Sequence, residues 1–305
     1  MTFLKVLDAE ADIKASGFNG AFKIALPALV PVKNEPDLLL TVFRATPAAG
    51  YKSYYFEQSV PKTQILLHFT TGHLRGDLST LTTADHQVSV PFVVARDGTV
   101  YSLFKSDYWS YHVGKGNVAN DNTTLSKKTI GIELSNYGPL KPDGNDLRTD
   151  YGDIYCTLDD TDQYVKLDEK YRDSAYYATF TDAQYEATIV LLRYLTAQYD
   201  IPRAFLPENI RYKATTDAVP FRGIISHVNY RADKCDIGPA FDWQRVIDGT
   251  QADSFTPQYD SNSVGTRDLD ALPINIVASE HDLEPPVKRG RKKKPKAVLT
   301  EEPTI

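Results

Sequence analysis

The chain predicts an α/β fold, a single mixed β-sheet flanked by helices, on three observations. Residues 64–69, 128–134 and 224–227 are apolar runs of strand length. Asp97-Gly98 stands between two β-rich runs, 89–95 and 99–104, a strong short-range hairpin signal. Residues 181–199 carry apolar side chains at helical spacing. Strands alternating with helices imply a mixed sheet rather than an all-β or all-α domain.

In chain order, residues 1–59 are weakly patterned. Ala21 to Val30 has strand-like apolar content, but Pro27 and Pro31 interrupt it, so the region reads as an N-terminal extension packed on the main domain. Residues 60–250 form that domain. Within it, 77–87 predicts a short helix or loop. Residues 137–176, rich in Asp, Tyr, Gly and Lys, predict an insertion of loops with at most a hairpin. Thr181 suits the N-cap of the helix that follows, positions 187, 190, 191, 194 and 195 its buried stripe, and Pro202 its end. Phe241 to Ile247 opens a last helix. From residue 251 the periodicity dissolves among prolines, and 251–305 reads as a disordered tail with a basic run, Lys288 to Lys296. No internal repeat is present.

A hydrophobic content of 42% supplies a sizeable core. The net charge of −6 argues against general nucleic-acid binding by the globular part. Two cysteines, Cys156 and Cys235, make no disulfide framework and point to a reducing compartment. The N-terminus has no basic region followed by a long apolar run, and no window approaches 18 apolar residues. The expectation is a chain made in the cytoplasm without a signal peptide, needing another exit if its substrate lies outside.

The chemistry is concentrated at the ends of the apolar runs. His68 closes the first and His227 another, and Lys234-Cys235-Asp236 follows shortly after. Two imidazoles with a carboxylate or thiolate make a three-ligand zinc site with one open position, the arrangement of a hydrolase rather than of a structural zinc. Glu133 lies in a separate apolar strand, Thr129-Ile-Gly-Ile-Glu-Leu134. A carboxyl group buried there needs a reason, and a metal hydrolase needs a proton carrier.

The set His68, Ser89 to Gly98, His112, Glu133, His227 and Lys234-Cys-Asp-Ile-Gly-Pro-Ala-Phe-Asp-Trp243 resembles the zinc amidase family. That family includes phage amidase-type lysozymes, bacterial N-acetylmuramoyl-L-alanine amidases and peptidoglycan recognition proteins. The resemblance spans about residues 60 to 250. Its most specific part is the last segment, similar to the family's Lys-x-Asp-Pro-Gly-Pro-x-Phe-x-Trp closing motif. It implies His68, His227 and Asp236 as zinc ligands, Asp236 being favoured over the softer Cys235, whose thiolate beside Lys234 would have a lowered pKa. It implies Glu133 as proton carrier, Lys234 as oxyanion partner and His112 as a contact in the substrate groove. His73 and His86 are assigned no role. Phage lysozymes of the family carry a catalytic tyrosine where this chain has Val90, a departure that leaves the proton work to Glu133.

The implied function is zinc-dependent hydrolysis of the amide between N-acetylmuramic acid and L-alanine in peptidoglycan or a muropeptide. The alternative is a non-catalytic peptidoglycan-recognition module, and a further one a scaffold whose working part is the tail. The implied settings are a lysin released by a holin, a cytoplasmic muropeptide-recycling enzyme or a virion part. The basic run reads first as a solvated tail, with contact to polyanions as the alternative.

Overall fold

The apolar run Thr129–Leu134 forms the strand from which the sheet is built outward. In this computed structural model residues 7–8, 10–13, 22–25, 27–47 and 53–252 are described. After helical positions at 7–8 and 10–13 come β1 (Phe22–Ile24), β2 (Ala28–Val32), β3 (Glu35–Pro47) and β4 (Gln64–Phe69), then α1 (Leu74–Leu81). The hairpin of β5 (Phe92–Val94) and β6 (Val100–Ser102) follows, then α2 (Asn122–Lys128) and β7 (Thr129–Leu134). Next come β8 (Pro139–Asp143), β9 (Asp146–Arg148), β10 (Ile154–Thr157), β11 (Tyr164–Tyr171) and β12 (Ser174–Ala178). The long α3 (Asp182–Tyr199) and the short α4 (Glu208–Arg211) lead to β13 (Gly223–Ser226), α5 (His227–Tyr230) and α6 (Trp243–Gly249). None of the described helices is long and apolar enough to cross a membrane.

The main sheet has the order β1-β3-β6-β5-β7-β4-β13, with β2 also paired to β3. Strands β5, β7, β4 and β13 are mutually parallel, β6 is antiparallel to β5, and β3 is parallel to β6. Side chains alternate between the two faces of such a sheet. Ile65, Leu67, Ile130, Ile132 and Leu134 share one core cluster with Leu191, Leu192 and Leu195 of α3 and Val246 of α6. Each such buried side chain contributes about 1.5–3 kcal/mol of transfer free energy. Leu66 belongs to a different cluster, with Val113, Leu125 and Ile225. His68 and Glu133 therefore emerge on the face away from α3.

The strands before residue 60 belong to this same sheet rather than lying against it. Val30, Val32, Leu40 and Val42 are buried in the core cluster that holds α3. Pro31 hid the strand because it breaks a central-strand pattern, but among the described residues β2 pairs with β3 alone. A missing N–H costs little on such an edge.

The region expected as loops forms a second, antiparallel sheet, in the order β10-β9-β8-β12-β11. Its own cluster buries Tyr137, Leu140, Leu147, Tyr155 and Cys156. In β11 Val165 and Leu167 are half-buried while Lys166 and Asp168 are exposed. That is a strand alternation written in so many charged residues that it reads as loop.

Helix α3 starts where its sequence says. Thr181 and Gln184 form a reciprocal capping box. The expected stripe faces the core, with Leu191, Tyr194 and Leu195 buried and Ala187 and Val190 half-buried against it, and the buried face also takes in Gln184, Thr188 and Leu192. The buried Gln184 amide donates to the Ser135 carbonyl at 3.0 Å and to that of Val94 at 3.4 Å, a bond that hydrophobic patterning does not register. Gly98 takes φ +82° in the hairpin turn, where a Cβ would lie 2.8 Å from the Ala183 carbonyl oxygen. The expected tail, from residue 253 on and with its basic run, lies outside the described residues.

Candidate active site

Strand register brings the first residues of the site together. His68 of β4 is the direct partner of Glu133 in β7. On the other side of β4, Ser226 pairs with Leu67, so His227 follows in the same row. The three side chains sit at the carboxyl ends of neighbouring parallel strands, the usual place for a site in a parallel sheet. His227 is the first residue of α5 rather than the last of a strand. The turn is held by Asn229, whose carboxamide oxygen accepts from the Ser226 N–H at 2.9 Å and whose NH2 group donates to the Arg211 carbonyl at 2.8 Å.

Asp236 comes from the loop after α5. Val228 N–H donates to its carbonyl at 2.9 Å. Ile237, Phe241 and Trp243 just beyond it are buried in the main core. Trp243 donates its indole N–H to the Gly238 carbonyl at 3.2 Å. A Cβ on Gly238 would lie 2.4 Å from the ring of Tyr171 in β11, so the second sheet packs directly on this segment. The closing motif is thus an anchor that carries one carboxylate.

Three donor atoms converge there. His68 Nδ1 is 3.0 Å from His227 Nδ1 and 3.2 Å from Asp236 Oδ2, and His227 Nδ1 is 2.9 Å from the same oxygen. All three residues are buried. Two ligands at zinc's bond lengths of about 2.0–2.1 Å and a tetrahedral angle lie roughly 3.3 Å apart, so the triangle fits that ion. Proton placement also fits. His227 Nε2 lies 2.8 Å from the Val113 carbonyl oxygen, which can only accept, so Nε2 carries the hydrogen, and in the neutral ring Nδ1 is a lone pair facing a carboxylate. A cation between them resolves that repulsion.

Burial, and after it the neighbouring His227, pushes the His68 pKa down to about 4, which leaves this imidazole neutral and able to accept a metal. Cys235 is half-buried and stands outside the triangle. Burial, with Asp236 next to it, drives its thiol up to about 12. This corrects the expectation that Lys234 would lower it: desolvation and a neighbouring carboxylate prevail over one cation.

A cleft of about 380 Å³ opens over the triangle, lined among others by Thr70, Ser89, Val90, Glu133, Lys234 and Cys235. Glu133 is not on an edge strand, since β7 lies between β5 and β4. Burial first, and then Asp236 and Asp77, raises its pKa well above the ordinary value. Its Oε2 is buried without a hydrogen-bond partner, a costly state unless a bound molecule completes it. Lys234 is half-buried on the rim of the same cleft.

His112 lines the cleft wall, but both its nitrogens are engaged: Nδ1 lies 3.0 Å from His68 Nε2, and Nε2 2.9 Å from Thr129 Oγ1. His73, assigned no role, caps α1 by accepting from Gly76 N–H, and His86 is exposed. Residue patterns did not reveal the Val113 carbonyl, which has no side-chain signature, or the Ser89 hydroxyl, which is buried in the cleft without a partner.

A buried triangle of two imidazoles and a carboxylate beside a raised carboxyl suits amide hydrolysis assisted by a metal. The chain belongs to the N-acetylmuramoyl-L-alanine amidase family, whose model matches residues 58–239. No curated protein matches it in sequence. Among solved structures it is similar to AmiD of E. coli, an N-acetylmuramyl-L-alanine amidase solved with the substrate anhydro-N-acetylmuramic acid-L-Ala-D-gamma-Glu-L-Lys. The identity there is 22% and the TM-score 0.40, over 66% of this chain and 59% of that one. It is also similar to AmpDh3 of Pseudomonas aeruginosa (16%, TM-score 0.40, 65% and 64%). A third is the endolysin LysCS of Clostridium intestinale (13%, TM-score 0.35, 64% and 86%). The chain thus spans less than two thirds of the length of the E. coli enzyme.

Proposed function

We propose that the protein is a zinc-dependent N-acetylmuramoyl-L-alanine amidase, cutting the amide between the lactyl group of N-acetylmuramic acid and L-alanine in peptidoglycan or a muropeptide. The observation that carries this reading is the triangle of His68 Nδ1, His227 Nδ1 and Asp236 Oδ2, with edges of 2.9–3.2 Å, beside Glu133 in a chain of this family.

In this reading His68, His227 and Asp236 hold the ion. Zinc bound there supplies Lewis acidity that polarises the scissile carbonyl and makes water easier to deprotonate. Glu133 takes the proton from the attacking water and returns it to the leaving nitrogen, a two-way task for which a raised carboxyl pKa is suited. Lys234 faces the negative charge that develops on the carbonyl oxygen. His112, with both nitrogens engaged, offers the groove only its ring carbons. Val90 stands in the cleft wall and leaves no tyrosine to share the proton transfer.

Residues 60–250 form the catalytic region, the strands of 1–59 extend its sheet, and 137–176 is an insertion. The same site serves wall lysis and muropeptide processing. Comparing intact sacculi with soluble anhydro-muropeptides separates the two roles.

The test pairs metal analysis with release of L-alanine-bearing peptides from purified peptidoglycan. One zinc per chain and hydrolysis by the wild type, with none by Glu133→Ala, is the expected result. Zinc without hydrolysis would point to another amide substrate. Sacculus binding with neither zinc nor hydrolysis would make the protein a recognition module.

A further inference from the structure

Two consecutive residues stand behind the two imidazoles of the site. His112 Nδ1 meets His68 Nε2 at 3.0 Å, and the Val113 carbonyl accepts from His227 Nε2 at 2.8 Å. We propose that His112-Val113 is an orienting clamp for both histidine ligands, with His112 a positioning residue whose own tautomer is set by Thr129. The inference rests on reading His68, His227 and Asp236 as a zinc site.

The proton bookkeeping has one solution when both imidazoles are neutral. Thr129 Oγ1 lies 2.7 Å from the Leu125 carbonyl, which can only accept, so the hydroxyl hydrogen is spent there. Thr129 must then accept from His112 Nε2–H at 2.9 Å. That leaves His112 Nδ1 as a lone pair, which accepts from His68 Nε2–H. His68 Nδ1 is thereby left bare and turned toward His227 and Asp236. A metal-binding histidine usually hands its outer N–H to a carboxylate, a carbonyl or water. Here one ligand uses a carbonyl and the other a second histidine, from adjacent positions.

The clamp is fixed from behind. Val113 is fully buried against Leu66, Leu125 and Ile225. Gly114 N–H donates to Asn122 Oδ1 at 2.8 Å, tying the segment to α2. A Cβ on Gly131 would lie 2.9 Å from His112 Nδ1, so this glycine leaves room for the ring.

The test is zinc affinity, read by competition with a chromophoric chelator, for wild type, His112→Phe, His112→Asn and Thr129→Val. Loss of such an outer partner typically costs 10- to 100-fold in metal affinity, and that loss is expected for His112→Phe. His112→Asn keeps an acceptor oxygen and is expected to recover part of it, and Thr129→Val to lose less than His112→Phe. Imidazole 15N shifts of the zinc-free protein give a second readout: His68 protonated on Nε2 in the wild type, mixed tautomers in Thr129→Val. If His112→Phe does not fold, Thr129→Val decides by the same two readouts. Wild-type zinc affinity in a folded His112→Phe, or in Thr129→Val with an unchanged His68 tautomer, would overturn the clamp alone. A wild type without zinc affinity would overturn the zinc site and the clamp together.

Discussion

His68 and Glu133 are direct partners on adjacent parallel strands, β4 and β7, and project from the same face of the sheet. The distance between this imidazole and the acid beside it is therefore set by backbone hydrogen bonding rather than by a loop. A group held this way is positioned by the sheet itself, and substitutions at it are expected to report on chemistry more than on folding.

Glu133→Gln is expected to lower kcat by about 10²- to 10⁴-fold, the usual contribution of general acid–base catalysis, while zinc content stays at the wild-type level. Steady-state kinetics with metal analysis checks both. The same substitution changes the pH dependence of stability. Burial raises the Glu133 pKa in the folded chain, so its contribution is fully present below the unfolded value of about 4.5 and is lost as pH rises toward the folded one. Thermal melts of the zinc-free proteins should show Glu133→Gln gaining on the wild type as pH increases through that window.

His68 gives the opposite slope. Its folded pKa is depressed to about 4 from 6.5, so the stability it contributes is present above 6.5 and is lost as pH falls toward 4. In zinc-free protein, His68→Gln should flatten the melting temperature between pH 6.5 and 4. A curve as steep as that of the wild type would count against the burial argument.

Asp236→Ala is expected to abolish stoichiometric zinc, and Cys235→Ser to leave it unchanged. The carboxylate is one corner of the triangle, whereas the neighbouring Cys235 thiol stands outside it. Metal analysis after dialysis distinguishes the two, and zinc lost in Cys235→Ser alone would reverse the assignment.

Lys234→Met is expected to reduce kcat by roughly 10²- to 10³-fold, the scale of a lost oxyanion partner, with zinc affinity retained. A change confined to KM would make Lys234 a binding residue instead.

Gly131→Ala should destabilise the protein by about 1–3 kcal/mol, the cost of overpacking. Its new methyl would meet Val90 Cγ1 at 2.5 Å as well as the His112 ring. Denaturant unfolding measures it.

Much of this molecule was legible in its sequence because the signals are local. The runs that became β4, β7 and β13, the Asp97-Gly98 hairpin and the Thr181 cap each depend on a few neighbouring residues, and each appears where those residues put it. The chemical types of the site were legible as well, since His68, Glu133, His227 and Asp236 close or follow those runs. Other features left no such mark. β11 is hidden by exposed Lys166 and Asp168, β2 by Pro31, and the burial of Gln184 on α3 goes with an amide bond to the Ser135 carbonyl.

The sequence alone determined which groups could ligate or carry protons and that the apolar runs at 64–69, 129–134 and 223–226 would be strands. Only the tertiary structure decided that three donor atoms stand within hydrogen-bond distance of one another, that Cys235 stands apart from them, and that His112 and Val113 back the two histidines. The physical reason is that each of these facts depends on the register between strands distant in the chain and on how a buried loop is anchored. Both are set by the packing of the whole core, which no local pattern encodes.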